Sequence, residues 1–420
     1  MIADDFTGAL DAGVQFAKKG FSTKVMVYSK DMTVKAEDAD VLVVDAETRH
    51  KQPLEAYRTI LQIVKPAAES GVSYFFKKTD SALRGNIGAE LTAMLDATGR
   101  TLLNFVPAFP QMNRVTVKGI HFIDGVPVDE SVFGSDPFEP VTTSNVEELI
   151  HQQCEISVQT IPAGNAPGEC REKTIAVYNC SSDSDLHKTV TALKDAGSLG
   201  LIAGCAGLAE ILPEVLGWQK KEIKEPVLPE KFLVVCGSVN PITVKQLDYA
   251  EKNGFVRIRL TPEQKLNKEY FSGKDGKEWL DKFWDICSRN AKVIIDTNDP
   301  EGDNETERYA VEYNISRKEV RERIPAALGE IIGNMVQRGL NSSMLMTGGD
   351  TLLGCMHHLG DTELTPVGEY EIGIVLSQLV SNNNKTHVFT KSGGFGEETL
   401  LTDMAAKICH TARSEERRVG

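Results

Sequence analysis

Ser343-Met344-Leu345-Met346-Thr347-Gly348-Gly349-Asp350-Thr351 is an apolar run that stops at two glycines, an acid and a hydroxyl; a helix is expected directly after it, over 352–359. A strand that ends in Gly-Gly and feeds a helix is half of a βαβ unit, and repeated βα units build a parallel sheet with helices on both faces. The turn also has chemistry. The first backbone N–H groups of a helix lack partners, its dipole favours an anion there, and glycine lets a ligand approach the main chain closely. The stretch therefore reads either as a phosphate turn or as an ordinary strand-to-helix turn, and a short glycine motif does not separate the two.

The same alternation recurs toward the N-terminus. Ile2-Ala3 ends in Asp4-Asp5, with a helix expected over 8–19. Runs at 24–28 and 41–45 are of strand length, and the second ends in Asp45-Ala46-Glu47-Thr48-Arg49-His50 before a helix at 53–69 with Pro53 in its first turn. Tyr74 to Asp80 is a strand running into Ser81-Ala82-Leu83-Arg84-Gly85-Asn86; a helix at 87–97 and a strand at 102–106 follow. Continuous apolar strands alternating with helices indicate a parallel sheet, and ligands of such sheets sit off the carboxyl ends of the strands. Three of these ends are polar clusters. Residues 107–145 break the rhythm with Pro107-Ala108-Phe109-Pro110 and an Asp124-Gly125 hairpin turn, and are read as a flap or an insertion.

After further βα units, Lys221-Glu222-Ile223-Lys224-Glu225-Pro226-Val227-Leu228-Pro229-Glu230-Lys231 is charged, holds two prolines and reads as a linker. The second half restarts with strands at 232–236, 255–260, 292–296, 343–347, 372–379 and 386–391. Its helix over 322–338 carries a core stripe of Ile324, Leu328, Ile331, Ile332, Met335 and Val336, and the last helix spans 400–410. The chain is thus α/β with two domains, each a mostly parallel sheet flanked by helices: 1–220, a linker at 221–231, 232–413, and a tail at 414–420.

The 420 residues carry a net charge of −14, with 41% hydrophobic and 25% charged residues. That excludes a nucleic-acid binder working through a diffuse basic surface. No apolar run reaches the roughly 20 residues that cross a bilayer, no secretory leader is visible, and the eight scattered cysteines match no zinc spacing. A cytoplasmic protein with no nucleic-acid or membrane partner is expected, and a homodimer is left open.

Two constellations carry chemistry. In the second half, glycine turns at 237–238, 347–351 and 392–396 each follow an expected strand, and together they make a nest of donors for a polyphosphate. There is no GxxxxGK[ST] and no GxGxxG of the dinucleotide type. In the first half, Asp4, Asp5 and Asp80 accompany Arg49, Lys78 and Arg84, with Thr7, Ser81 and Asn86 as small polar groups. Cations at strand ends can hold a carboxylate, and an aspartate can take a proton from an attacking hydroxyl. The competing reading is of surface ion pairs worth little each. His121, His357 and His358 are read as structural or surface residues.

Six blocks in order resemble the signatures of the four-carbon acid sugar kinases: Ile2-Ala3-Asp4-Asp5-Phe6-Thr7-Gly8-Ala9, Lys78 to Asn86, Pro107 to Pro110, Cys236-Gly237-Ser238, Thr347 to Thr351 and Lys391-Ser392-Gly393-Gly394-Phe395-Gly396. The resemblance implies a sugar-acid-binding N-terminal domain, an ATP-binding C-terminal domain and an active site in the interdomain cleft. It implies ATP-dependent phosphorylation of the 4-hydroxyl of a tetronate: D-threonate first, D-erythronate or 3-oxo-tetronate as alternatives; Mg²⁺ is expected to bridge the ATP phosphates. By position, Asp5, Arg49, Lys78, Thr79, Asp80 and Ser81, with Arg84 nearby, would contact the acid sugar, its carboxylate on Arg49 and Lys78. Ser238, Gly348, Gly349, Asp350, Thr351 and Gly394 would contact ATP. Asp5, Asp80 and Asp350 compete for the role of base. Two departures stand near the sugar site: Asn113-Arg114 where many members have Gly-Arg, and Ala82 where a threonine is expected. Readings of another class are a sugar-acid sensor without catalysis and an NAD-dependent dehydrogenase, the latter disfavoured by the missing GxGxxG.

Overall fold

The computed structural model describes residues 1–29, 39–136, 139–218, 226–360, 363–381, 384–391 and 394–410. The expected tail at 414–420, residues 221–225 of the linker, and Ser392-Gly393 lie outside the described residues; 226–231 form neither helix nor strand. The chain divides into two compact units, Met1–Ile223 and Lys224–Gly420. Among the described residues no helix is long and apolar enough to cross a membrane.

In the first unit the elements run β1 (Ile2–Ala3), α1 (Phe6–Ala17), β2 (Thr23–Val27), β3 (Val41–Asp45), α2 (Pro53–Glu69), β4 (Phe75–Lys78), α3 (Ile87–Thr98), β5 (Leu102–Val106), β6 (Arg114–Val117), β7 (Ile120–Ile123), β8 (Val126–Pro127), α4 (Val146–His151), β9 (Ser157–Ile161), β10 (Thr174–Tyr178), α5 (Asp183–Asp195), β11 (Leu201–Gly204) and α6 (Ala206–Val215). The main sheet has the order β2-β3-β1-β4-β11-β5-β10-β9 and every pair is parallel. Alternate strand residues feed two cores. Ile175 and Val177 face Ile60, Leu91 and Ile150 of α2, α3 and α4, whereas Ala176 and Tyr178 face Phe16, Val190 and Leu208 of α1, α5 and α6. This is the sandwich that continuous apolar strands foretell.

α1 begins at Phe6, two residues before the expected start, because Asp5 is its N-cap: extended at φ −145°, it accepts from Gly8 N at 3.0 Å. The excursion at 107–145 is a separate antiparallel sheet, β6-β7-β8, turned at Asp124-Gly125 with φ of 51° and 80°. Asn113 leads into it at φ 52°. That left-handed conformation suits glycine and, among other residues, asparagine, so the Asn-for-Gly departure leaves Arg114 where a glycine would have put it.

The second unit runs β12 (Phe232–Cys236), α7 (Pro241–Lys252), β13 (Val256–Arg259), α8 (Pro262–Leu266), α9 (Lys274–Arg289), β14 (Lys292–Asp296), α10 (Glu305–Glu312), α11 (Arg317–Gln337), β15 (Ser343–Thr347), α12 (Gly349–Leu359), β16 (Glu363–Glu371), β17 (Ile374–Ser381), β18 (Asn384–Lys391) and α13 (Leu400–His410). Its strand order is β13-β14-β12-β15-β18-β17-β16. The first five are parallel; β17 and β16 return antiparallel. The single strand expected at 372–379 is therefore corrected: a turn at Ile372-Gly373 separates two long strands, with Gly373 at φ 78°. α11 starts at Arg317 rather than 322, set by a Ser316–Glu319 capping box. α11 and α12 approach closely because Gly329 and Gly354 face each other's helix: a Cβ on Gly329 would collide with Gly354 O, and one on Gly354 with Pro325 O.

One buried ion pair lies under the first sheet's polar edge. Lys77, fully buried, meets Glu90 Oε2 at 2.8 Å and donates to Lys78 O at 2.7 Å; burial raises the Glu90 carboxyl against the pull of Lys77. Removing one partner strands the other in the core. Lys77→Met should destabilise folding by about 3–5 kcal/mol, and Lys77→Met with Glu90→Leu should recover most of it. Urea midpoints of the single and double variants check this.

Candidate functional site

The parallel register sets the first constellation. Ala3 lies beside Asp45 on one side and Lys78 on the other, so the segments after β1, β3 and β4 leave the sheet at one edge. Thr48 N and Arg49 N both bond Asp4 O, at 2.9 and 3.1 Å, and Asn86 Nδ2 bonds Thr48 O and Lys51 O at 2.8 and 2.9 Å. Three loops are thereby laced together. Leu83 at φ 63° and Gly85 at φ 87° give the Lys78–Asn86 loop a tight, strained course.

Arg49 is the hub. Its Nε donates to Asp4 Oδ2 at 2.7 Å, Nη1 to Asp5 Oδ2 at 2.8 Å, and Nη2 pairs with Asp5 Oδ1 at 2.7 Å and Asp80 Oδ1 at 3.7 Å. Burial works against its charge, but Asp4, Asp5 and Asp80 outweigh it and raise the guanidinium further. The fork thus faces Asp5, not open space. Asp80 is held by Arg84 Nε at 2.9 Å and Nη2 at 3.1 Å, and caps its own loop through Ala82 N and Arg84 N. Burial would raise this carboxyl; Arg84 and Arg49 hold it well below the usual range. Asp4 is lowered in the same way by Arg49, Lys77 and Lys78.

Asp80's folded-state pKa lies below its unfolded value of about 3.9. Its contribution to stability is therefore present above pH ~4 and lost as pH falls through the depressed value. Asp80→Asn should cost ~3 kcal/mol at pH 7 and flatten the acid limb of the stability curve, read by urea titrations from pH 7 to pH 3.

Lys78 is 4% exposed; its Nζ donates to Thr79 O at 2.7 Å and lies 3.0 Å from where a Cβ on Gly8 would stand. Gly8 is therefore needed for the ammonium to reach the N-terminus of α1. Thr79 is fully buried, and Ser81 Oγ accepts from Arg114 Nη1. The 107–145 segment is bound to this loop. His121 joins Ser81 O and Thr116 Oγ1, both at 3.0 Å; Arg84 reaches Asp136 at 3.2 Å; and Arg84 and Arg114 sit 5.1 and 5.5 Å from the Phe133 ring centre. Burial pushes the His121 imidazole down to about 4, so it stays neutral and structural, as the sequence suggested.

In the second unit the register places Asp296, Cys236, Thr347 and Lys391 side by side at the ends of β14, β12, β15 and β18. Two of the three glycine turns thus open from adjacent strand ends, and the third follows Lys391. Gly348, at φ 93° and ψ 138°, caps α12, and its N–H bonds Lys391 O at 3.1 Å. A Cβ on Gly237 would collide with the Thr351 hydroxyl. Ser238 is half-buried, its carbonyl held by Asn298 Nδ2 at 3.1 Å, and Asn240 caps α7 beside it. The N-termini of α7 and α12 therefore emerge at one edge, beside Gly237, where there is no room for a side chain. That arrangement fits a polyphosphate. Gly349 is half-buried and Gly394 exposed. Asp350 is exposed and pairs with Arg321 of α11 at 3.1 Å. Lys391 is fully buried, its Nζ 3.2 Å from Thr243 Oγ1 in the first turn of α7, and burial pushes it down to about 8. Among the described residues no group of three or more His, Cys, Asp or Glu side chains could hold a metal ion.

The residues at these two clusters that sequence reasoning did not assign are Arg114, Phe133, Asp136 and Lys391. Lys391 was adjacent to a quoted glycine turn, and its strand-end position was the available signal. The others reach the Lys78–Asn86 loop from an irregular segment, where no spacing announces them.

Residues 1–212 match a family model described as a sugar-binding N-terminal domain, and residues 233–401 one described as a nucleotide-binding C-terminal domain. A D-threonate kinase of Salmonella typhimurium is 30% identical over 96% of either chain. A D-erythronate kinase of Heliobacterium modesticaldum is 25% identical over 94% of this chain and 93% of its own. A solved Salmonella typhimurium protein, 20% identical, superposes with a TM-score of 0.77 over 96% of this chain and 97% of its own, which shows a shared fold. With both domain models in sequence order and full-length kinship to these enzymes, the chain belongs to the four-carbon acid sugar kinase family.

Proposed function

We propose that the chain transfers the γ-phosphoryl group of ATP to the 4-hydroxyl of a four-carbon sugar acid, with D-threonate the preferred acceptor and D-erythronate or 3-oxo-tetronate the alternatives. The observation that supports the reading is the register of Cys236, Thr347 and Lys391, which brings the ends of the strands before Gly237 and Gly348 side by side in a chain whose other unit gathers acids and cations at a sheet edge. The 30% identical D-threonate kinase favours threonate among the acceptors.

Residues 1–220 would receive the acid sugar, on Asp5, Arg49, Lys78, Thr79, Asp80, Ser81 and Arg84. Residues 232–413 would receive ATP, on Ser238, Gly348, Gly349, Asp350, Thr351 and Gly394, with Mg²⁺ held through phosphate oxygens and water. Asp5 is the base we favour. It is 20% exposed and stands beside Lys78 at the N-terminus of α1, whereas Asp80 is closed by two arginines and Asp350 is turned to Arg321. Arg49 then orients Asp5 and Asp80. A kinase that spends ATP on a small acid belongs in the cytoplasm.

The test is ADP release in the presence of D-threonate, D-erythronate and 3-oxo-tetronate separately. Acceptor-dependent ADP with threonate fastest is the expected result. Threonate binding without ADP would favour a sensor, and oxidation of the acid with NAD would favour a dehydrogenase.

A further inference from the structure

Three guanidinium groups converge on the Lys78–Asn86 loop, and they are not equivalent. Arg49 is enclosed by Asp4, Asp5 and Asp80. Arg84 is held by Asp80 through two nitrogens and by Asp136 through the third. Arg114 has no carboxylate partner among the described residues: its hydrogen bond goes to the neutral Ser81 hydroxyl, and its buried Nε has no partner at all. A guanidinium already closed on carboxylates gains little from another anion; one with open donors gains a charge-assisted, two-point contact.

The surroundings hold this group in place. Asn113 in the left-handed turn starts β6 at Arg114, Phe133 lies under the guanidinium, and His121 fixes the Ser81 carbonyl from below. The Ser81 hydroxyl, an expected acid-sugar contact, is thus joined to a cation that acts on Asp80 through space but has no carboxylate within ion-pair distance among the described residues.

We propose that Arg114, rather than Arg49, receives the carboxylate of the acid sugar, with Phe133 as the platform that orients its guanidinium. This rests on the reading of the first unit as the acid-sugar site. It assigns Arg49 to holding Asp5 and Asp80, and it makes the 107–145 segment part of substrate recognition.

The experiment is calorimetric binding of D-threonate and its neutral isostere D-threonamide to the full chain, with ADP release followed in parallel. The wild type should bind the acid about 100-fold more tightly than the amide, the size expected of charge-assisted bonds to a carboxylate. Arg114→Met should abolish that preference by weakening the acid alone, and Arg114→Lys should retain part of it. Equal weakening of acid and amide by Arg114→Met, or an undiminished preference, would overturn the assignment. If the preference depends on Arg114 but no ADP appears with any acid sugar, the assignment stands and the kinase reading fails. If ADP appears while Arg49→Met, rather than Arg114→Met, removes the preference, the kinase reading stands and the assignment fails.

Discussion

Asp5→Asn is expected to lower kcat with D-threonate by roughly 10²–10⁴-fold, the range over which a positioned base contributes. The substitution is chosen because it isolates charge. Asp5 caps α1 through Gly8 N, and asparagine caps a helix as well as aspartate does, so the helix start is preserved. The Asp5 Oδ2 that accepts from the Thr7 hydroxyl and from Arg49 Nη1 becomes an amide nitrogen, while Arg49 keeps Asp4 and Asp80. What is lost is the carboxylate that can take the hydroxyl proton. The loss should fall on kcat more than on the threonate KM, and the lost Arg49 pair should lower the melting temperature without unfolding the chain at assay temperature. Asp5→Ala should in addition lose about 1 kcal/mol of helix capping. If Asp5→Asn turned over threonate at the wild-type rate, the base would be sought among Asp80 and Asp350.

Gly348→Ala is expected to raise the KM for ATP by roughly 10–100-fold while leaving D-threonate binding untouched. At φ 93° and ψ 138° Gly348 occupies backbone space that a Cβ makes costly, on the order of 1–3 kcal/mol. An alanine would twist the turn away from that conformation. The twist would pull the Gly348 N–H from Lys391 O and re-aim the first N–H groups of α12. Each 1.4 kcal/mol of lost donation is tenfold in affinity. Gly237→Ala should act in the same direction, since its Cβ would displace the Thr351 hydroxyl. Steady-state kinetics with each substrate varied in turn, together with a threonate thermal shift, separate a nucleotide defect from a general loss of structure.

Much of this was legible in the sequence, for physical reasons. The parallel first sheet follows from continuous apolar strands alternating with helices, and α2 was placed to the residue because Pro53 marks its first turn. The glycine turns were visible because glycine is required where Gly348 and Gly237 stand. The hairpin β16–β17 was not, because Glu363 to Glu371 contains Pro366 and Gly368 and no apolar run; it is held by pairing with β17, which a local pattern does not report. Asp5 was read as a strand-end carboxylate, although an Asp before a helix is also an N-cap signal. The roles of the arginines were least legible. Arg49, Arg84 and Arg114 look alike in the sequence, and only long-range partners distinguish them: Asp4 and Asp5 for Arg49, Asp136 for Arg84, and Ser81 with Phe133 for Arg114.

The central claim is that the γ-phosphoryl group of ATP reaches the terminal hydroxyl of a four-carbon sugar acid. Phosphorus-31 NMR of the product made from ATP and D-threonate tests it most directly. The predicted result is a new phosphomonoester signal split into a triplet by the two protons on C4, growing as ADP appears and absent with Asp5→Asn over the same period. A doublet from a phosphate on C2 or C3, or ATP unchanged in the presence of threonate, erythronate and 3-oxo-tetronate alike, would contradict it.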